Sequence, residues 1–286
     1  WAMLPDDDLR AELEKLGVER DLGPETLRKA RRLFACAIET PGGLKIQTIH
    51  SFCASVLRRF PLEAQVSPQF REMEDRQAAL LRSDVLDDMV DGGHRDVVAG
   101  LLAYFTGAEL DKFVAEITGK RGSFARPFDP DALRDLLDLR PGLTSQTLIS
   151  DVFGPDTTEI IRDTIALCRT GGANDNKAAD KLSTVDFANP TTGDLITLEG
   201  TFLYGEKAKA GPYAAKIGAF PTKAIREATP DLTEALNGLM EVVEHARNDR
   251  LGLHVFDRTA ALYAFAAHFV TAYEDRKLAM GMLDFD

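Results

Sequence analysis

The segment around His50 holds the residues whose types and spacing could do chemistry. Leu44–Ile49 alternates in hydropathy as a short strand does, and an apolar helical stripe follows His50 and ends at Pro61. We therefore expect Thr48–Ser51 at a strand-to-helix junction, with Ser51 as the helix cap. Backbone N–H groups at the start of a helix can bind anions. This junction is the strongest candidate for a binding site in the chain.

A metal site and a nucleophile pair are the other chemistries that this segment could hold. His50 and Cys53 are one helical turn apart, so they could share a metal ion. Two ligands do not make a site, and Cys53 falls in the apolar stripe, where we expect a small buried hydrophobic residue. No third residue would orient a cysteine–histidine pair. The sequence also lacks the phosphate loop, the GxGxxG fingerprint and H-E-x-x-H, so we expect no catalytic, metal or cofactor residue in the chain itself.

The charge of the chain is uneven. A formal net charge of −12 argues against indiscriminate coating of nucleic acid. Between Glu25 and Arg71, however, eight basic and three acidic residues give a local net charge of +5. A solvated helix face is the alternative interpretation of that run. Four further lysines form a loose cluster that we interpret as an exposed loop rather than a duplex-binding surface: Lys207, Lys209, Lys216 and Lys223.

Cysteine usage and hydropathy indicate a soluble cytoplasmic protein. The three cysteines are scattered, which favours a reducing compartment over a disulfide framework. No basic and apolar leader begins the sequence. The longest apolar run, near Ala260–Val270, is interrupted by His268 and is shorter than the roughly 20 residues that a membrane span needs.

Apolar spacing predicts a mainly α-helical fold. The predicted helices cover Asp6–Leu16, Pro24–Thr40, His50–Phe60, Met73–Asp91, Val97–Tyr104, Leu110–Ile117, Pro130–Leu139, Glu159–Arg169 and two segments from Asp231 onward. The polar stretch Gly171–Lys181 predicts a mobile loop, and Gly205–Pro221 predicts another exposed loop. Ile196–Tyr204 alternates well enough to predict a short strand or hairpin.

Two motifs carry a resemblance to a known family. Residues 45–60, KIQTIHSFCASVLRRF, resemble the T-[FI]-H-S-F…L-R-R segment of superfamily-1A DNA helicases of the UvrD/RecB type. The continuation Val66–Phe70 with Glu74 and Asp75 is similar to the stretch that follows it in those proteins. Residues 281–286, GMLDFD, resemble the L-D-F-D-D-L segment that precedes their Mg-ATP carboxylate motif. The two segments PGGLKIQTIHSFC and RRFPLEA most resemble the AddA-type helicase–nuclease subunits.

The resemblance implies a division into domains. Residues 1–71 would be part of a RecA-like α/β motor domain, 1A, which contributes helical and short-strand pieces. Residues 72–257 would be an inserted helical subdomain, 1B-like, and 258–286 a return helix to domain 1A that ends in LDFD. The Walker A loop would precede residue 1 and the acidic Walker B motif would follow residue 286. The fragment is therefore expected not to hydrolyse ATP, whereas the parent protein would use ATP and Mg²⁺.

The resemblance also implies a function and site residues. The parent would be an ATP-dependent 3′-to-5′ DNA helicase and exonuclease that processes double-strand breaks for recombinational repair, with an AddB-like partner subunit. A translocase holds the sugar–phosphate backbone without reading its sequence, and hydroxyls and imidazole suit that contact. The implied contacts to DNA, single strand or duplex end, are Thr48, His50, Ser51, Arg58, Arg59 and Phe285.

Other interpretations of these residues stay open. His50 could be an interior histidine with satisfied hydrogen bonds, and Phe285 could pack against the adjoining helix instead of stacking on a base. The functional alternative for the whole chain is an acidic, all-helical protein–protein interaction module without nucleic-acid activity.

Overall fold

A computed structural model describes residues 1–18, 22–41, 43, 46–105 and 109–284. The chain is mainly α-helical, which confirms the predicted fold class. It falls into two compact units, residues 1–72 with the chain end from Met280, and Met73–Ala279. Within the described residues, no helix has the length and apolar character that a membrane crossing requires.

Within its described residues, the first unit contains three helices and one short parallel sheet. The helices are α1 (Asp6–Lys15), α2 (Pro24–Glu39) and α3 (Ile49–Arg59). Strand β1 (Arg71–Glu72) pairs in parallel with β2 (Met282–Leu283). α1 and α2 bury an apolar cluster between them, formed by Leu9, Leu13, Leu27 and Ala30.

The strand predicted over Leu44–Ile49 is wrong where the structure describes it. Residues 46–48 form no strand, and Ile49 already begins α3, while residues 44 and 45 lie outside the described residues. Ile46 is 86% exposed, so its place in the alternating pattern does not reflect a buried sheet face. Alternation over a few residues predicts a strand only where a neighbouring strand offers its hydrogen bonds.

The second unit is built from ten helices and a 3₁₀ turn within the described residues. They are α4 (Asp75–Asp91), α5 (Arg95–Leu102), α6 (Leu110–Gly119), the turn Arg121–Phe124, α7 (Pro130–Leu136), α8 (Ser145–Val152), α9 (Pro155–Cys168), α10 (Ala173–Leu182), α11 (Thr192–Phe202), α12 (Lys223–Ala228) and α13 (Pro230–Ala279). Most of the connections are short, but residues 203–222 form a longer one between α11 and α12. Several helices begin with capping side chains such as Thr144 and Thr191.

Helix α13 is the axis of this unit. It is one helix of 50 residues, where the sequence predicted two segments, and at about 1.5 Å per residue it spans roughly 75 Å. Its first half packs into the main apolar core through residues such as Met240 and Val243. Its second half buries a row of stacked rings, with centroids 5.3 Å apart for Phe265–Phe269 and 6.2 Å for Phe269–Tyr273. Residue 258, the expected domain boundary, lies inside this helix.

Two segments of the second unit contradict the prediction. Gly171–Lys181, predicted as a mobile loop, is largely α10, because Ala178, Ala179 and Leu182 form a buried stripe beneath a polar face. Ile196–Tyr204, predicted as a strand or hairpin, lies mostly in α11. There the hydroxyl of Thr191 caps the helix and its buried side chains repeat at helical spacing, which overrides the β-branched composition.

Candidate nucleic-acid interface

The start of α3 has a defined cap. Thr48 is the residue before the helix, with φ −67° and ψ 160°, and its Oγ1 accepts a hydrogen bond from the backbone N–H of Ser51 at 3.2 Å. The hydroxyl oxygens of these two residues are 3.1 Å apart. The predicted cap, Ser51, is therefore wrong by one helical turn, since Thr48 performs that role. Thr48, His50 and Ser51 are all exposed within this first turn.

The first turn of α3 carries no negative charge of its own. A helix has a partial positive charge at its N-terminus, and acidic side chains in the first turn commonly offset it. In α1 three aspartates, Asp6 to Asp8, occupy that turn, whereas α3 has no acidic residue there. No side chain in the first turn of α3 therefore offsets the partial positive charge there. The hydroxyls of Thr48 and Ser51 and the imidazole of His50 are exposed at the same end of the helix.

The predicted arginines lie at the opposite end of the same helix. Arg58 and Arg59 occupy the last turn of α3, roughly 15 Å along the axis from its first turn. Their positive charges oppose the partial negative charge of the helix C-terminus, which stabilises α3 itself. The structure therefore places the two halves of the predicted site on one helix but does not bring them into a single cluster.

The two arginines differ in their surroundings. The Arg58 guanidinium lies 5.2 Å from the centroid of the Phe70 ring and 3.8 Å from a carboxylate oxygen of Glu72. The Arg59 guanidinium lies 5.9 Å from the centroid of the Phe60 ring, and no carboxylate among the described residues pairs with it. Arg59 is therefore the better placed of the two to meet an external phosphate.

An apolar face of α3 is exposed. Ile49 is 79% exposed, Phe52 56% and Val56 40%, and these residues follow one another at helical spacing. Cys53 is exposed too, which contradicts its predicted burial. The reason is that in this unit α3 buries only Ala54, so the sequence pattern identified an apolar face correctly but not whether that face is covered.

The remaining predicted site residue is not part of this geometry. Phe285 lies outside the described residues, as does Asp286. Over the described ranges, no group of three or more His, Cys, Asp or Glu side chains converges as a metal site would require. The roles of Thr48, His50, Ser51, Arg58 and Arg59 in DNA contact stay predictions.

Comparison with known proteins extends the resemblance beyond the motifs. No family model matches the chain. The chain is 26% identical over 268 residues to the A subunit of the ATP-dependent helicase/nuclease of Desulforudis audaxviator, which covers 84% of the chain and 22% of that relative. It is 27% identical over 163 residues to the protein of the same name from Listeria monocytogenes serotype 4a, which covers 54% of the chain and 12% of the relative.

The similarity is thus to one part of a much longer protein. The chain spans 12% and 22% of the length of these two relatives. The class of protein to which the chain is similar is the A subunit of ATP-dependent helicase/nucleases. In particular it is AddA-like, which confirms the resemblance predicted from the motifs.

Proposed function

We propose that this chain is a DNA-contacting segment of an AddA-type ATP-dependent helicase/nuclease that moves 3′ to 5′ and processes double-strand breaks for recombinational repair. The names of the similar proteins support the helicase/nuclease role. In this proposal residues 1–71 and 258–286 belong to motor domain 1A, and 72–257 form the inserted 1B-like subdomain. ATP and Mg²⁺ act elsewhere in the parent protein, which assembles with an AddB-like partner.

The observation that carries the DNA contact is the first turn of α3. It combines a helix N-terminus whose first turn has no acidic residue with the exposed side chains of Thr48, His50 and Ser51. Such a set can hold a phosphate through backbone N–H groups and hydroxyls without reading a base. An anion at a helix N-terminus is stabilised by only about 0.3–1 kcal/mol, so binding by this chain alone is expected to be weak and sensitive to salt.

The test is fluorescence anisotropy of the chain with a labelled forked DNA at low and moderate salt. His50→Ala should weaken binding severalfold. His245→Ala is the matched control, since His245 is exposed on α13 and its Nδ1 lies 2.8 Å from the carbonyl oxygen of Glu241 in its own helix. Equal binding by both variants and the unaltered chain would refute the contact at α3.

The arginines provide a second arm of the same experiment. Each phosphate contact to a single strand contributes about −0.7 to the slope of log affinity against log salt. Arg59→Ala should make that slope shallower by about this amount. Arg58→Ala should change it less, because Arg58 already contacts Phe70 and Glu72.

A protein-interaction module is the second candidate function, and the exposed apolar face of α3 favours it. Ile49, Phe52 and Val56 offer a contiguous hydrophobic strip of the kind that partner proteins cover. Phe52→Asn separates the two functions. The interaction module is supported if the unaltered chain binds no DNA but self-associates in sedimentation, and Phe52→Asn abolishes that self-association. Self-association that is unchanged in Phe52→Asn would refute a role of this apolar face in protein interaction.

A further inference from the structure

A pocket lined by lysines lies within the helical unit. Its volume is 390 Å³, and it is bordered by α10, α11 and the segment that precedes α12. Lys177 and Lys181 line it from one face of α10, one helical turn apart, and Lys216 lines it from the segment between α11 and α12. Asp175 is the one acidic residue in the described lining. The pocket therefore gathers positive charge in a chain whose net charge is −12.

The carboxylate of Asp175 is already used by the fold. Asp175 is 1% exposed, and it accepts hydrogen bonds from the backbone N–H of Thr222 at 3.0 Å and from the hydroxyl of Thr222 at 2.7 Å. The backbone N–H of Gly172 donates to it at 3.2 Å. Across the described part of the chain, no carboxylate forms an ion pair with Lys177 or Lys181. Three lysines thus share this lining with a single carboxylate, Asp175, whose oxygens already accept hydrogen bonds from Thr222 and Gly172.

Lys216 is held in place by the backbone. Its ammonium donates a hydrogen bond to the carbonyl oxygen of Thr201 at 2.6 Å, and its side chain is half-buried. Burial lowers the pKa of Lys216, and the positive charge of Lys181 lowers it further. Two positive charges close enough to repel each other, one of them fixed by a hydrogen bond, are stabilised when an anion enters between them.

We propose that this pocket binds a phosphate group, with Lys181 and Lys216 as its principal ligands and Lys177 at the rim. Lysine is a common phosphate ligand because its ammonium is a compact charge with three donors. The phosphate group comes either from a small phosphate compound or from the backbone of a nucleic acid. The site is remote in sequence from α3 and does not depend on the function proposed for that helix.

The sequence did not place Lys216 with the two lysines that share its pocket. The basic cluster expected from sequence joined it to Lys207, Lys209 and Lys223, whereas Lys177 and Lys181 fell in the predicted loop. In the structure Lys223 pairs with Glu227 on its own helix, at 3.5 Å. The formation of α10 is what turns two lysines of a polar stretch toward a third that lies far along the chain.

The experiment compares Lys181→Ala with Lys207→Ala. Both lysines are exposed, so neither substitution removes a core contact, and both change the net charge equally. One arm titrates pyrophosphate by isothermal titration calorimetry, and the other measures anisotropy of a short blunt DNA duplex. Loss of one charge-assisted hydrogen bond should weaken the bound phosphate about 10-fold in Lys181→Ala, while Lys207→Ala should stay within about twofold.

The pattern across the two arms identifies the source of the phosphate. If Lys181→Ala, but not Lys207→Ala, weakens binding of pyrophosphate, the phosphate belongs to a small compound. If Lys181→Ala, but not Lys207→Ala, weakens binding of the duplex alone, the phosphate belongs to a nucleic-acid backbone. Absence of binding in both arms, or equal losses in the two variants, overturns the proposal.

A measurement on the unaltered chain guards against effects of substitution on folding. Acetylation of lysines is mapped by mass spectrometry with and without the ligand that binds. Protection of Lys181 and Lys216, but not of Lys207, is expected. Protection spread evenly over the three residues would contradict a defined pocket.

Discussion

Two glycines of α13 give a sharp test of how this helix packs. Gly238 and Gly252 both lie inside the helix, so replacing either by alanine gains the same intrinsic helix propensity, about 1 kcal/mol. A Cβ at Gly238 meets nothing within 4 Å. A Cβ at Gly252 would lie 2.9 Å from Cδ2 of Leu139 and 3.4 Å from its Cγ.

The cost at Gly252 follows from the position of Leu139. This leucine is 5% exposed and belongs to the main apolar core, so its side chain cannot move away without disturbing its neighbours. Overpacking of a filled core costs about 1–3 kcal/mol. Gly238→Ala should therefore raise the free energy of unfolding by up to about 1 kcal/mol. Gly252→Ala should fall about 1–3 kcal/mol below it, with a net effect near zero or destabilising.

The assay is urea unfolding of the two variants and the unaltered chain, with far-UV circular dichroism as the measure of the folded fraction. Thermal unfolding should separate the variants by at least about 2–4 °C, the shift expected per kcal/mol for a unit of this size. If Gly252→Ala stabilises the chain as much as Gly238→Ala does, the close approach of Leu139 to α13 is wrong.

Three other predictions concern single side chains. Burial raises the pKa of Cys168 to about 11, and the negative charge of Asp175 contributes to this shift. At pH 8 a thiol reagent should therefore label only the exposed Cys36 and Cys53 until the chain is unfolded. Glu199 is 9% exposed and forms two hydrogen bonds with Arg250, so Glu199→Ala should cost about 3–5 kcal/mol in urea unfolding, and a loss below 1 kcal/mol would show that the pair is dispensable. Burial alone would raise the pKa of Asp194, but hydrogen bonds from a hydroxyl and from backbone N–H groups lower it overall. Its stabilising effect is therefore complete above its ordinary pKa and lost as the pH falls through the lowered one, so Asp194→Asn should cost stability at pH 7 and nothing in strong acid.

Local signals in the sequence were sufficient for most of the helices. Pro24 begins α2 and Gly92 ends α4, and the structure follows both signals. The start of α3 was predicted to within one residue, although residues 46–48 before it form no strand and Thr48 rather than Ser51 is the cap. These features depend on residues that are close in sequence, which is why they can be predicted from it.

The errors have a common physical cause. Whether the apolar face of α3 is covered depends on neighbours outside the helix, so Cys53 was expected to be buried and is exposed. Helix α10 was missed because Leu182 is the one large apolar residue among its four buried positions, and the other three, Asp175, Ala178 and Ala179, contribute little to a hydropathy pattern. The lysine pocket was missed with it, since Lys216 meets Lys181 only after α10 forms.

The proposed function depends on a contact between the first turn of α3 and DNA. Ultraviolet crosslinking tests that contact directly. The unaltered chain is irradiated with a bound forked DNA, digested with trypsin and examined by mass spectrometry. Cleavage after Lys45 and Arg58 yields a peptide of residues 46–58, which contains the first turn together with Phe52 and Cys53. We predict that the main DNA adduct lies in this peptide. Adducts confined to peptides from residues 73–279 would contradict the proposed contact and place DNA on the helical unit instead.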